Sequence, residues 1–149
     1  MNLLDCEVGP SEELHGDFGH RRSLVGRELA AELIGCSLYE LAPGERMWPY
    51  HGHWNNEEWL IVVAGMPTVR TPAGERELAA GDVVAFAEGE DGAHTVVNRS
   101  AGPTRVAIFS TLRHGTTFYP DSDKVGAGPP EDRRYYRRSD ARDYWDGET

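Results

Sequence analysis

HGHWNNEEWLIVVAGMPTVRTPAGERELAAGDVVAF, residues 51–86, alternates short apolar runs with glycine turns, and that rhythm decides the fold class. EEWLIVVAG begins on two acids, continues in aromatic and β-branched residues and stops at Gly65, as a strand does. TVRTPAGEREL reads as a hairpin turning at Pro72-Ala73-Gly74, because proline presets the backbone angle and glycine accepts a positive one. A second turn follows at Gly81-Asp82. Outward from this stretch the same rhythm predicts strands near 30–41, 46–53, 57–64, 67–71, 75–79, 82–87, 93–98 and 104–111. The breaks fall at Pro43-Gly44, Gly65, Pro72 to Gly74, Gly81-Asp82, Gly89 to Gly92 and Ser100 to Pro103. About eight short strands at this spacing predict an all-β protein, a small barrel or jelly roll. No repeat of solenoid type is present.

The flanks differ in character. Residues 1–28 are mixed and polar and are expected to form an arm, residues 29–112 the β-barrel, and residues 113–149 an irregular tail packed on it. His15 and His20 in HGDFGH are a weaker rival metal site, since Gly16 and Gly19 make a helix there poor. In the tail, Arg133-Arg-Tyr-Tyr-Arg-Arg138 has the composition of a nucleic-acid patch, but acidic flanks weaken its field. Its Tyr and Trp side chains are expected to hold the tail on the barrel. Asp121 and Asp123 lack the glycine and glutamate of a calcium loop.

A chain of 149 residues suits one domain with one sizeable core. The formal net charge of -10 argues against nucleic-acid or anionic-membrane partners, which require clustered Lys and Arg. MNLLDCEVGPSEEL has neither a basic nor a long apolar region, so it does not read as a secretory signal. No apolar run is long enough to span a bilayer. Cys6 and Cys36 have no metal-type spacing, and a reduced, cytoplasmic location is expected. The formal sequon Asn98-Arg-Ser100 then carries no weight.

The chemistry concentrates in His51, His53, Glu58 and His94. On a strand, residues two apart share a face, so His51 and His53 project together. Glu58 shares its face with Leu60 and Val62, while Trp59, Ile61 and Val63 take the other. A carboxylate heading an apolar face is costly without a cation, which favours Glu58 over Glu57 as a ligand. His94 shares its face with Val96 and Asn98. Imidazole and carboxylate donors without thiolate suit iron, manganese, nickel, zinc or copper. Each histidine taken alone reads as a surface or hydrogen-bonded core residue more readily than as a ligand.

Two spaced motifs add to this reading. Gly44, His51-x-His53, Glu58 and Gly65 in order resemble the first motif of the cupins, with one extra residue after the leading glycine. Gly81-Asp82, Ala87-x-Gly89, Gly92-Ala-His94 and Asn98 resemble the second, with Ala87 where the family usually has proline and a turn two residues longer before His94. The resemblance covers about residues 30–111. It extends to small bacterial single-domain cupins of undefined activity through PYHxH, EEW, RTPxGE, GAH, YPDSDK and DYWDGE.

The resemblance implies a double-stranded β-helix, or jelly-roll, barrel with a metal in its mouth. It also implies that His51, His53, Glu58 and His94 hold one divalent transition ion per chain (Fe, Mn, Ni or Zn). Such a set leaves coordination positions open, as a catalytic site does. Asn98 is read as structural, Trp48 and Trp54 as core, interface or pocket-mouth residues, and Tyr39, Arg46, Arg70 and Arg105 as groups able to orient a substrate. Expected functions are a metal-dependent enzyme on a small molecule, of dioxygenase or isomerase/lyase type; a ligand-binding or sensory module; and a metal-stiffened structural protein. A homodimer is expected, because open sheets leave edges to cover.

Overall fold

The computed structural model describes residues 1–10, 15–113 and 115–148. Its strands are β1 (Arg21–Ser23), β2 (Gly35–Leu41), β3 (Gly52–His53), β4 (Glu58–Ala64), β5 (Thr68–Thr71) and β6 (Gly74–Glu77). They continue with β7 (Val83–Phe86), β8 (Thr95–Val97), β9 (Thr104–Ser110), β10 (Thr117–Tyr119), β11 (Lys124–Ala127) and β12 (Arg134–Arg137). One short helix, α1 (Val25–Glu28), precedes β2. The strands form three antiparallel sheets, ordered β1-β2-β9-β4-β7, β12-β11-β10-β3 and β6-β5-β8. This is the all-β jelly-roll architecture that the strand rhythm predicts. Among the described residues no helix is long and apolar enough to cross a membrane.

Strand alternation builds the core. In β4, Leu60 and Val62 are buried while Trp59 stands exposed on the opposite face. Leu60 and Val62 meet Leu41, Val69, Phe86 and Val106 inside the barrel. Each such side chain contributes roughly 1.5–3 kcal/mol by leaving water. A second cluster lies on the outer face of β2 and β9, where Leu38 and Ala107 pack with Val25 of α1. Leu3, Cys6 and Val8 cover it from the N-terminal segment, and β1 extends the sheet by pairing with β2.

Three expectations need correction. The strand predicted over 30–41 begins only at Gly35, because Ala30 takes a left-handed backbone (φ 54°) after α1. The strand predicted over 46–53 reduces to Gly52–His53, with single bridges from Arg46 to Val97 and from His51 to His94. Pro49 lacks the N–H that a continuous ladder needs there. The tail is not irregular throughout: β10 pairs with β3, β11 with β10, and β12 with β11. Backbone pairing attaches it together with one buried aromatic, Phe118, which packs on Gly52 and Trp54, whereas Tyr136, Tyr144 and Trp145 are all exposed.

Asn98 ties the turn between β8 and β9 to the end of β2. It is fully buried, and its Nδ2 donates to the carbonyls of Leu41 (2.9 Å) and Gly102 (2.8 Å). Its Oδ1 accepts from the Ser100 N–H and hydroxyl at 3.0 and 2.7 Å. Removing it strands buried carbonyls, so Asn98→Ala is expected to lower unfolding free energy by about 2–4 kcal/mol. Asn98→Asp is expected to do at least as much harm, because a carboxylate cannot donate to either carbonyl. Urea unfolding of both variants checks this; an aspartate variant as stable as wild type contradicts it.

Candidate metal centre

Two backbone devices bring distant histidines together. His51 and His94 face each other across an isolated antiparallel bridge, each N–H bonded to the other's carbonyl at 3.1 and 2.7 Å. His53, in β3, lies opposite Thr117 of β10. Gly52 between the two histidines is packed on Phe118, whose ring leaves no room for an added Cβ. Glu58 enters from the first position of β4, on the buried side with Leu60 and Val62. Glu57 points away and accepts from the Trp59 indole at 2.8 Å.

The ligand-type atoms of His51, His53 and Glu58 lie within 4.8 Å of one another. Glu58 Oε2 is 3.3 Å from His53 Nε2 and 3.4 Å from His94 Nε2. His94 lies outside the tightest group of three but shares the same carboxylate oxygen. Ligands at right angles on bonds of about 2.1 Å stand roughly 3 Å apart, so these separations fit a shared ion.

Hydrogen bonding sharpens the fit. Nδ1 of His51 meets the Pro49 carbonyl at 2.8 Å, and Nδ1 of His94 meets the Gly92 carbonyl at 2.8 Å. A carbonyl only accepts, so each Nδ1 carries its hydrogen, and in the neutral ring Nε2 keeps its lone pair. Burial, with the neighbouring His94 and His53, pushes His51 down to about 3. Burial likewise lowers His94, against the opposing pull of Glu58. For Glu58, burial acts upward, but the His53 hydrogen bond and the three imidazoles outweigh it and leave its carboxyl below the ordinary range. At neutral pH two imidazole lone pairs therefore share a site with a carboxylate. All are acceptors, and a cation is the partner that satisfies them together.

The site opens into a cavity of about 240 Å³ walled by Trp48, Pro49, Thr117, Tyr119 and Arg133. Phe86 closes the rear, stacked on His94 at 3.7 Å between ring centroids. Thr117, Tyr119 and Arg133 come from the tail; the β-branched and aromatic run TTFY was the available signal for the first two, and Arg133 was read only as part of the basic run 133–138. A larger cavity of about 650 Å³ lies beyond Trp48 and Pro49, beside Arg46, Tyr50, Arg70 and Lys124, and it contains none of the four ligand candidates.

The remaining candidates separate cleanly. Arg46 pairs with Asp17, Arg70 with Asp121, and Arg105 with Glu40, each at 2.6–2.8 Å and none at the ligand cluster. Tyr39 is buried edge-on to His20 and Trp48. His15 bridges to Phe18 and His20 is buried in that aromatic group, so HGDFGH does not join the centre. Trp54 packs on Phe118 and sits off the cavity.

The family model for the cupin domain matches residues 37–110. The chain is a cupin. It is similar to a sugar phosphate isomerase of the cupin superfamily from Silicibacter pomeroyi (22% identity, TM-score 0.80), covering 98% of this chain and 97% of that one. It is also similar to a putative sugar phosphate isomerase from Acidithiobacillus ferrooxidans (21% identity, TM-score 0.79, 85% and 81% of the two chains). A polyketide cyclase from Streptomyces resistomycificus shares the fold at 17% identity and a TM-score of 0.60, over 76% of this chain and 78% of that one. No curated protein matches the sequence. The spread of names shows how one cupin barrel serves different chemistries.

A pH dependence follows for the metal-free cupin. His51 takes up a proton near 6.5 when unfolded but only near 3 when folded. Acid therefore favours the unfolded chain, and stability is expected to fall as pH drops from about 6.5 toward 3. Urea midpoints measured across that range should show the loss, and His51→Gln should reduce its slope, leaving the part that His94 and Glu58 contribute with the same sign. An unchanged slope in the variant contradicts this account of the buried ring.

Proposed function

We propose that this cupin is a metal-dependent enzyme of isomerase or lyase type acting on a small molecule. His51, His53, Glu58 and His94 hold one divalent transition ion (Fe, Mn, Ni or Zn). The supporting observation is the pair of Nε2 lone pairs of His51 and His94 directed into a site with the Glu58 carboxylate, each fixed by a backbone acceptor at Nδ1. When bound, the ion supplies a Lewis acid for a substrate oxygen. The chain's own residues shape the rest: Phe86 covers one face of the His94 ring, and Trp48, Thr117 and Tyr119 line the cavity. The two sugar phosphate isomerase structures share only the fold at their level of identity, yet they make that reaction class the first to assay. Dioxygen chemistry at iron is the competing enzyme reading.

One observation favours a second reading, a small-molecule-binding or sensory module. Beyond the proposed ligands, no carboxylate or histidine lines the 240 Å³ cavity among the described residues, which leaves Tyr119 as the one side chain there of acid–base type and a weak base at neutral pH. We place the protein in the cytoplasm, with no nucleic-acid or membrane partner, and as a homodimer. The exposed outer face of Trp59 and Val83 is the surface a second copy would cover.

His51→Ala combined with His53→Ala is expected to abolish metal uptake while leaving a folded β-rich protein, read by elemental analysis and circular dichroism. Full metal stoichiometry in that variant refutes the assignment. Anaerobic loading with ferrous iron, then oxygen uptake against candidate small molecules, separates the enzyme readings: sustained uptake removes the isomerase proposal. Light scattering coupled to size exclusion should give a dimer mass, and a monomer sinks that part.

A further inference from the structure

The basic run of the tail is not uniform. Arg134 pairs with Asp132 and Arg138 with Glu90, both at the surface. Arg133 turns inward instead. It is half-buried, and among the described residues no carboxylate lies within ion-pair distance of it. Its guanidinium donates to two neutral acceptors, Thr117 Oγ1 at 2.7 Å and the Gly115 carbonyl at 3.3 Å. Thr117 Oγ1 in turn meets His53 Nδ1 at 3.2 Å. Arg133 thus stands one hydroxyl from a proposed metal ligand, on the wall between the 240 Å³ cavity and a second one of about 170 Å³.

A guanidinium carries five N–H donors in a fork that matches an oxyanion, and partial burial without a counter-charge is costly. In a chain of net charge -10, a positive group kept unpaired beside the ligand cluster is a local exception to the overall field. Glu58, the one acid of the cavity, is committed to the imidazoles. We infer that Arg133 is an anion clamp: it binds the carboxylate or phosphate end of a small substrate whose other end reaches the ligand cluster. The inference rests on the metal-centre reading above, and it narrows the substrate class to small organic anions.

The test uses the full chain loaded with cobalt(II), whose visible spectrum reports ligands entering the open position. Inorganic phosphate, acetate and neutral imidazole are titrated into wild type, Arg133→Gln and Arg133→Lys, with cobalt content measured in each. Loss of charged hydrogen bonds is expected to weaken anion binding by about ten- to a hundredfold in Arg133→Gln. Imidazole binding should stay unchanged, and Arg133→Lys should recover part of the anion affinity. Whichever anion shows the larger loss names the substrate's end group. Equal anion affinity in Arg133→Gln and wild type overturns the clamp. So does a variant that loses cobalt, or binds imidazole and anions equally poorly, because Arg133 would then act only by holding Thr117 and His53. If wild type takes up no cobalt, the metal reading fails by itself. Calorimetric titration of phosphate into the metal-free protein then decides the clamp: binding that depends on Arg133 upholds it, and no binding removes it.

Discussion

A carboxylate cannot sit on the apolar face of a strand without compensation, and Glu58 is the constraint around which this barrel is arranged. It begins β4, whose next inward residues, Leu60 and Val62, lie in the core. Moving Glu58 outward by one register step would bury Trp59 and Ile61 and expose the core pair. The barrel therefore keeps the acid inside and surrounds it with imidazoles. Two of these are fixed by the same kind of contact, Nδ1 to a backbone carbonyl two residues away. Neutral rings do not offset the buried charge, so the acid and the two rings that the backbone bridge joins form a group of acceptors that a cation would complete.

Much of the barrel was legible because its signals are local. Gly65, Gly74 and Gly81 adopt positive φ at the expected turns, and β4 to β9 fall within the predicted windows apart from fraying of one or two residues. Alternation also assigned the faces of Glu58 and Glu57 in advance. The structural role read for Asn98 has its physical basis in four hydrogen bonds that close its own turn and join it to β2.

What was not legible depends on partners far away in sequence. Residues 46–51 look like a strand in composition, but Pro49 and the lone bridges at Arg46 and His51 leave the segment nearly ladder-free. The tail strands β10 to β12 are short, and Gly126 and Gly128 dilute their pattern, so only pairing with β3 reveals them. Arg133 belongs to the same class. Its sequence neighbours are charged and exposed, and nothing local distinguishes the arginine that turns inward.

The tail's attachment has a consequence for how the cluster is held. The four ligand candidates come entirely from residues 51–94, yet three consecutive residues of β10 lean on that stretch from the far end of the chain. The Thr117 hydroxyl meets His53, Phe118 packs on Gly52, and Tyr119 stacks on His51. The last quarter of the chain is thus a buttress for the histidine pair, and a change of side chain in β10 is felt there directly.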